Sequence, residues 1–215
     1  MRPPRSWILL HAGFAALAAV GLLMPVGSLG MRVLALVIIY NVAVVVLAKR
    51  TGDALLWRMW AVLAPMSVLM LLPDWFLGAV LGTITFPDTG SPFIGTMPWF
   101  MAGMWTIALL PPCLLGRSVE DARGPAVGFL TAAAAGMAVF IAAEFLAPAI
   151  PLWEPVGVTE VAGVAVYVLL PELGLCLATY ALVRQRLNLW ATAGGIVAVP
   201  FMYLGMLATS YQFIG

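Results

Sequence analysis

The chain has 215 residues, 64% of them hydrophobic and only 9% charged, with a formal net charge of +1. A soluble domain carries roughly 25% charged residues, so this composition excludes a soluble enzyme built on an ordinary core. The even charge balance leaves no basic face for nucleic acid and no acidic tail.

In chain order, apolar stretches run over 7–25, 31–48, 55–79, 97–116, 125–147, 161–183 and 189–213. Each is near the roughly 20 residues that a helix needs to cross a bilayer. They are too long for barrel strands and lack period-two alternation. The reading is an all-α polytopic membrane protein, a seven-transmembrane-helix bundle forming one domain over 1–215. Basic residues set its orientation. Arg2 and Arg5 precede the first stretch. Lys49, Arg50 and Arg58 flank the link to the third, Arg117 and Arg123 the link to the fifth, and Arg184 and Arg186 the link to the seventh. Loops 80–96 and 148–160 hold no Lys or Arg, and Arg32 is the one exception. By the positive-inside rule the N-terminus is cytoplasmic and the C-terminus outside. The start, MRPPRSWILL, has signal-peptide features, but keeping it as a span preserves the alternation. The expected location is a bacterial inner membrane.

Several chemistries fall away on residue counts. Cys113 and Cys176 belong to no CxxC, and His11 is the single histidine, so neither a zinc site nor a His-rich di-iron site is expected. The last stretch has no lysine for a retinal Schiff base. GxSxG, HExxH, P-loop and GxGxxG patterns are absent. No metal and no cofactor is expected.

Chemistry then rests on three acids inside apolar stretches. Asp74 lies nineteen residues after Leu55, and Glu144 nineteen after Pro125. At about 1.5 Å per residue both stand about 28 Å from the cytoplasmic face. Glu172 is eleven residues into its stretch, near the midplane, and follows Pro171. A carboxylate there costs at least about 2.5–3.5 kcal/mol on insertion scales and normally faces an interior cavity. The proline frees the carbonyl of Tyr167 and kinks the helix. These depths leave a vertical gap of about 12 Å between Asp74 and Glu172. A faint repeat places Asp74 and Glu144 at matching positions, each followed by an outer loop with a further acid, Asp88 or Glu154. It suggests two hairpins packed side by side.

The segment from Asp74 to Trp105 interleaves acids with Trp75, Phe76, Trp99 and Phe100. An interfacial belt accounts for many such aromatics. Acids among them fit an apolar pocket with a few convergent polar groups. The candidate catalytic residues are therefore Glu172, Asp74 and Glu144. The candidate substrate-binding residues are Trp75, Phe76, Trp99, Phe100, Trp105 and Tyr167. Loop 80–96 carries Phe86, Phe93 and Ile94 and is expected to cap the bundle, because exposing them forgoes about 25 cal/mol per Å². His11 and Asn41 are placed to share an interhelical hydrogen bond. Ala132 with Gly136, and Ala193 to Gly195, read as packing sites.

Seven short spans with acids on separate helices resemble the integral-membrane terpene cyclases of fungal meroterpenoid and indole-diterpene pathways. The likeness is mainly topological. Asp74 beside Trp75 resembles that family's acid next to a tryptophan. The stretch from Glu172 through Tyr180 to Arg184 resembles its second acid, followed by a basic helix end. The order here is Asp-Trp rather than Trp-Glu, the family's upstream asparagine is missing, and a further span follows the Glu172 helix. The resemblance implies paired carboxylates that protonate an epoxide or alkene and guide the cation. The Pro-Asp-Trp-Phe and Phe-Pro-Asp-x-Gly patterns also resemble bacterial membrane proteins with no assigned chemistry. The leading expectation is an enzyme for acid-initiated cyclisation or isomerisation of an apolar isoprenoid-type lipid. The alternatives are a non-catalytic membrane subunit or assembly factor, with membrane-protein partners, and a small proton-coupled transporter.

Overall fold

The computed structural model describes residues 4–147 and 149–215. It is all-α. The first two helices are α1, Arg5–Leu23, and α2, Leu29–Thr51. Next come α3, Ala54–Leu69, and the short α4, Leu71–Trp75, which runs on into a π-helical turn at Phe76–Leu81. The rest are α5, Met101–Arg123; α6, Pro125–Leu146; α7, Val166–Arg184; and α8, Leu189–Ile214. Among the described residues, six helical stretches are long and apolar enough to cross a membrane: α1, α2, the run Ala54–Leu81, α6, α7 and α8. The protein is an integral membrane protein.

Local chemistry places the helix ends. Asp53 starts α3 by accepting from the amides of Leu55 (3.1 Å) and Leu56 (2.9 Å), which satisfies two of the orphan donors of a helix N-terminus. Its second oxygen accepts from Trp7 Nε1 at 2.7 Å, which ties α1 to the same corner. Gly52, in the left-handed conformation at φ 64°, ends α2. Arg32 serves the opposite end, donating to the carbonyls of Gly21 (3.1 Å), Leu22 (2.9 Å) and Met24 at the end of α1. Its exceptional position among the basic residues thus has a structural use.

The core lies between α2, α3, α5, α7 and α8, around Tyr40, Met59, Leu110, Leu175 and Leu207. Glycines bring α5 and α6 into backbone contact near their turn. A Cβ on Gly116 would stand 2.7 Å from the Ala132 Cβ and 2.9 Å from the Gly128 carbonyl oxygen. Beside this contact sits an ionic knot. Glu120 accepts from Tyr180 at 2.5 Å and from Arg184 at 2.7 Å, and Arg117 pairs with both Glu120 and Asp121. The hydrogen-bonded Arg184 holds the Glu120 carboxyl below the usual carboxylate range.

Three sequence expectations need correction. Residues Glu160–Val161 and Val164–Ala165 form a small antiparallel hairpin, so α7 begins at Val166 rather than 161. Met97–Pro98 pairs with Phe93–Ile94 in another hairpin, which moves the start of α5 to Met101. His11 and Asn41 do not bond each other. His11 Nε2 lies 3.1 Å from the Tyr40 hydroxyl, and Asn41 bonds the Gly103 carbonyl (3.3 Å) and Trp60 Nε1 (3.1 Å).

The loops that follow Asp74 and Glu144 pair directly. Ile84 and Thr85 lie antiparallel to Pro155 and Glu154, and the Val156 amide donates to the Thr83 carbonyl at 2.9 Å. Loop 80–96 is therefore seated on the bundle, and its Phe86 is half-buried while Ile94 stays exposed. The Tyr167 carbonyl freed by Pro171 has a partner on α8. Ser210 donates to it at 2.6 Å. Replacing Ser210 by Ala leaves that buried carbonyl unpaired and is expected to cost about 1–3 kcal/mol. Thermal unfolding in detergent should show the loss, with Ser210→Thr close to wild type. An unchanged midpoint for the alanine variant would mean that the bond contributes nothing.

Candidate functional site

Under the paired loops lies a cavity of about 270 Å³. Asp74 of α4, Glu144 near the end of α6 and Glu172 of α7 all line it. Asp74 and Glu172 are only 4% and 6% exposed, so both carboxyls are withdrawn from bulk solvent. Each helix turns a buried stripe this way. On α7 the stripe runs Val168, Glu172, Leu175 and Thr179, the spacing of one helix face. On α6 it runs Ala132, Gly136 and Phe140, and Glu144 is the next residue in that row of four. Asp74 sits one residue after Pro73 and two before the π-helical turn. Single π turns inside helices frequently mark functional sites.

Two of the acids are held by indoles. Trp105 Nε1 on α5 donates to Asp74 Oδ2 at 3.0 Å, and Trp153 Nε1, from the loop after α6, donates to Glu144 Oε1 at 3.0 Å. Trp105 is itself fixed by tilted contact with Phe140 (5.7 Å between centroids) and edge contact with Tyr203 (5.9 Å). Tyr167 donates to Thr83 Oγ1 at 2.9 Å, tying α7 to the loop above. The third acid is different. Among the described residues, Glu172 Oε2 is buried and has no hydrogen-bond partner. An unpaired buried polar atom costs about 1–3 kcal/mol, and no contact of this oxygen offsets that cost among the described residues.

The helix ends give two counts of depth. Counted from the loop end, Asp74 is seven residues from Leu81, Glu172 six from Val166 and Glu144 two from Leu146. At about 1.5 Å per residue this is about 10, 9 and 3 Å below the loops. Counted from the other end, Asp74 is twenty residues from Ala54 and Glu172 twelve from Arg184, so a gap of about 12 Å (about 1.5 Å for each residue counted) remains on that count, and both acids line one cavity. Below the cavity the core between α5 and α7 is filled. Leu109, Leu110, Cys113, Leu175 and Tyr180 are each at most 2% exposed, and Gly136 leaves just enough room for Cys176 Sγ.

The predicted aromatic residues divide. Trp105 and Tyr167 line the cavity. Trp75 and Trp99 are 42% and 49% exposed and point away from it. Phe76 is half-buried outside the lining, and Phe100 is wholly buried in a separate cluster with Val33, Val37 and Met101. Three lining aromatics, Phe140, Trp153 and Tyr203, were not named from the sequence, and a fourth, Phe86, was named only as a cap residue. Phe140 was available from its four-residue spacing to Glu144. Tyr203 shares the buried α8 face of Val199, Leu207 and Ser210. Trp153 carries no local signal, because its place depends on the pairing of two distant loops. Among the described residues no group of three His, Cys, Asp or Glu side chains is arranged to hold a metal ion.

Residues 71–214 match a family model described as a domain of unknown function, DUF6989. The chain belongs to this family. Comparison with curated proteins and with solved structures gave no match. The DUF6989 match opens at Leu71, the first residue of α4. It therefore contains all three carboxyls and the whole cavity lining, while α1, α2 and α3 precede it.

Proposed function

We propose that this DUF6989 protein is an enzyme that carries out acid-initiated cyclisation or isomerisation of an apolar, isoprenoid-type lipid. One observation carries the reading: Glu172, buried in an apolar cavity with an unpartnered oxygen, among two carboxyls held by Trp105 and Trp153. An acid in low dielectric surroundings favours its neutral form and can deliver a proton to a substrate double bond or oxygen. The proton adds to that atom, a carbocation forms on the substrate, and Glu172 becomes a carboxylate. The faces of Trp105, Phe140 and Tyr203 attract the cation through their quadrupoles. Asp74 and Glu144, oriented by the indoles, counter its charge. Loss of a proton from carbon back to Glu172 restores the acid and gives an alkene, so the cycle balances without a co-reactant. Enclosure excludes water that would quench the cation.

A transporter needs a route between the two ends of the bundle, and the packed lower core gives that reading no support. The resemblance to membrane terpene cyclases agrees with the chemistry. The test is incubation of the protein in lipid nanodiscs with isoprenoid alkenes of graded length, with products identified by mass spectrometry. Conversion by wild type and none by Glu172→Gln supports the reading, and no conversion of any chain length overturns it.

The topology belongs to the same proposal. All seven long helices cross the membrane, with the N-terminus cytoplasmic and the cavity end and C-terminus outside, in a bacterial inner membrane. In α5 the charges gather at Arg117, Glu120, Asp121 and Arg123, past an uncharged run from Met101 to Gly116, so its cavity half suits the hydrocarbon. Cysteines replacing the exposed Asp88 or Glu154 should be labelled by a membrane-impermeant reagent from outside intact cells. Cysteines replacing Thr51 or Gln185 should not, and the reverse pattern would invert the orientation.

A further inference from the structure

The end of the bundle opposite the cavity carries an unbalanced charge. Its acids are Asp53, Glu120 and Asp121, and each is already engaged. Asp53 caps α3 and accepts from Trp7. Glu120 holds Arg117, Tyr180 and Arg184, and Asp121 holds Arg117 at 2.7 Å. Arg58 and Arg186 are left with no ion pair among the described residues. Arg58 is four residues after Ala54 on α3, which packs against α5 and touches α7, and Arg186 is two residues past the end of α7. Arg58 thereby lies within Coulombic reach of Arg186 and Arg117, and no carboxylate offsets them.

Excess basic charge at one end is the ordinary mark of membrane orientation, and most of it here is solvated. Arg50 and Arg123 are exposed, and Lys49 stands over the Trp57 ring at 5.4 Å. Arg58 differs. It is half-buried, and its Nε is withdrawn from water with no acceptor among the described residues. Only the terminal nitrogens of this guanidinium are open to a partner. A cation hydrated on its outer edge alone, with like charges beside it, favours an anion at that edge. The chain supplies none.

We propose that Arg58 and Arg186, flanked by Arg117, form a site for a phosphate group, carried by an anionic phospholipid or free in solution. Guanidinium forks match the geometry of phosphate oxygens and donate to them in parallel pairs. The surroundings suit a lipid. Trp57, one residue before Arg58, is 40% exposed and in tilted contact with Trp60 (5.4 Å between centroids). Exposed tryptophans sit at headgroup level, and basic pockets between membrane helices bind anionic headgroups. None of the three arginines lines the acid cavity, so the site is separate from it and independent of the enzymatic reading.

The test is native mass spectrometry of the protein in neutral detergent, offered equal amounts of dioleoyl phosphatidylglycerol and dioleoyl phosphatidylcholine. Both carry the phosphate, and only the first leaves its charge uncompensated. Wild type is expected to retain phosphatidylglycerol in preference, and Arg58→Gln or Arg186→Gln to cut that adduct about fivefold each. Arg123→Gln, at an exposed arginine of the same end, should leave it unchanged. A second arm reads the thermal midpoint in lipid-free detergent with inorganic phosphate against chloride at equal ionic strength. A midpoint raised by phosphate in wild type and not in Arg58→Gln, without preference between the lipids, assigns the site to soluble phosphate. The lipid preference without the phosphate effect assigns it to the phospholipid. Arg58→Gln is expected to fold, because it removes a cation from like-charged neighbours. Arg58→Lys, which keeps the charge and loses the fork, is expected to lose most of the adduct too and serves where the first variant does not fold. No preference and no phosphate response in wild type would overturn the proposal. So would an Arg58→Gln protein that behaves as wild type in both arms, or an Arg123→Gln protein that loses as much as Arg58→Gln, since the charge of the whole end would then be acting.

Discussion

Replacing Glu172 by Gln is expected to abolish turnover while leaving the protein folded. A positioned general acid is worth about 10²–10⁴ in rate, and Gln keeps the size and one hydrogen-bonding oxygen but cannot deliver a proton. The fold makes the experiment clean. Glu172 Oε2 has no partner to lose, and the Tyr167 carbonyl freed by the neighbouring proline is already served by Ser210. Thermal stability should stay the same or rise slightly, because an amide is cheaper to bury than an acid that ionises part of the time. Asp74→Asn is the companion. It retains an oxygen for Trp105 and should also lose turnover, since a neutral amide counters the cation poorly. If Glu172→Gln turns over at the wild-type rate, the acid-initiated mechanism is wrong. If both variants instead lose stability in proportion to activity, the acids are structural.

The helices outside the loop end were legible because a membrane imposes a length and a composition that local sequence records directly. The α7 start was not. Val161 to Val166 reads as the opening of an apolar helix, yet Gly163 sits at φ 80° and Ala162 at φ 53°, which turns that stretch back on itself as a hairpin. The hairpin shortens α7 on the loop side, so Glu172 stands six residues from its first residue, Val166. Single acids in apolar stretches were visible because their insertion cost is high wherever they fall. Their partners were less so. Trp105 and Trp153 look like belt residues until tertiary contacts show one indole on Asp74 and the other on Glu144. Trp75 and Trp99, equally suggestive in sequence, turn outward instead. An aromatic next to an acid along a helix points about 100° away from it, so adjacency in sequence argued against a shared cavity rather than for one.

A second large effect is expected at Gly116, where stability rather than chemistry is at stake. A Cβ there meets the Ala132 Cβ at 2.7 Å, the Gly128 carbonyl at 2.9 Å and the Tyr180 ring at 2.9 Å. Two of the three obstacles are backbone or the stub of a side chain, so a rotamer change cannot clear them. Gly116→Ala is therefore expected to cost about 1–3 kcal/mol, the usual penalty for overpacking, despite the gain in helix propensity of about 0.5–1 kcal/mol. Gly116→Val should abolish the folded peak in size-exclusion chromatography. Separating α5 from α6 here also pulls Tyr180 from Glu120, and with it the bond from Arg184 that closes the end of the bundle. Gly194 is the control. Nothing lies within 4 Å of a Cβ built on it, so Gly194→Ala should be neutral or slightly stabilising. The contrast matters for the site because α5 and α6 carry Trp105 and Phe140, whose contact lines the cavity. A Gly116→Ala variant as stable as wild type would show that the backbone contact between α5 and α6 yields without cost.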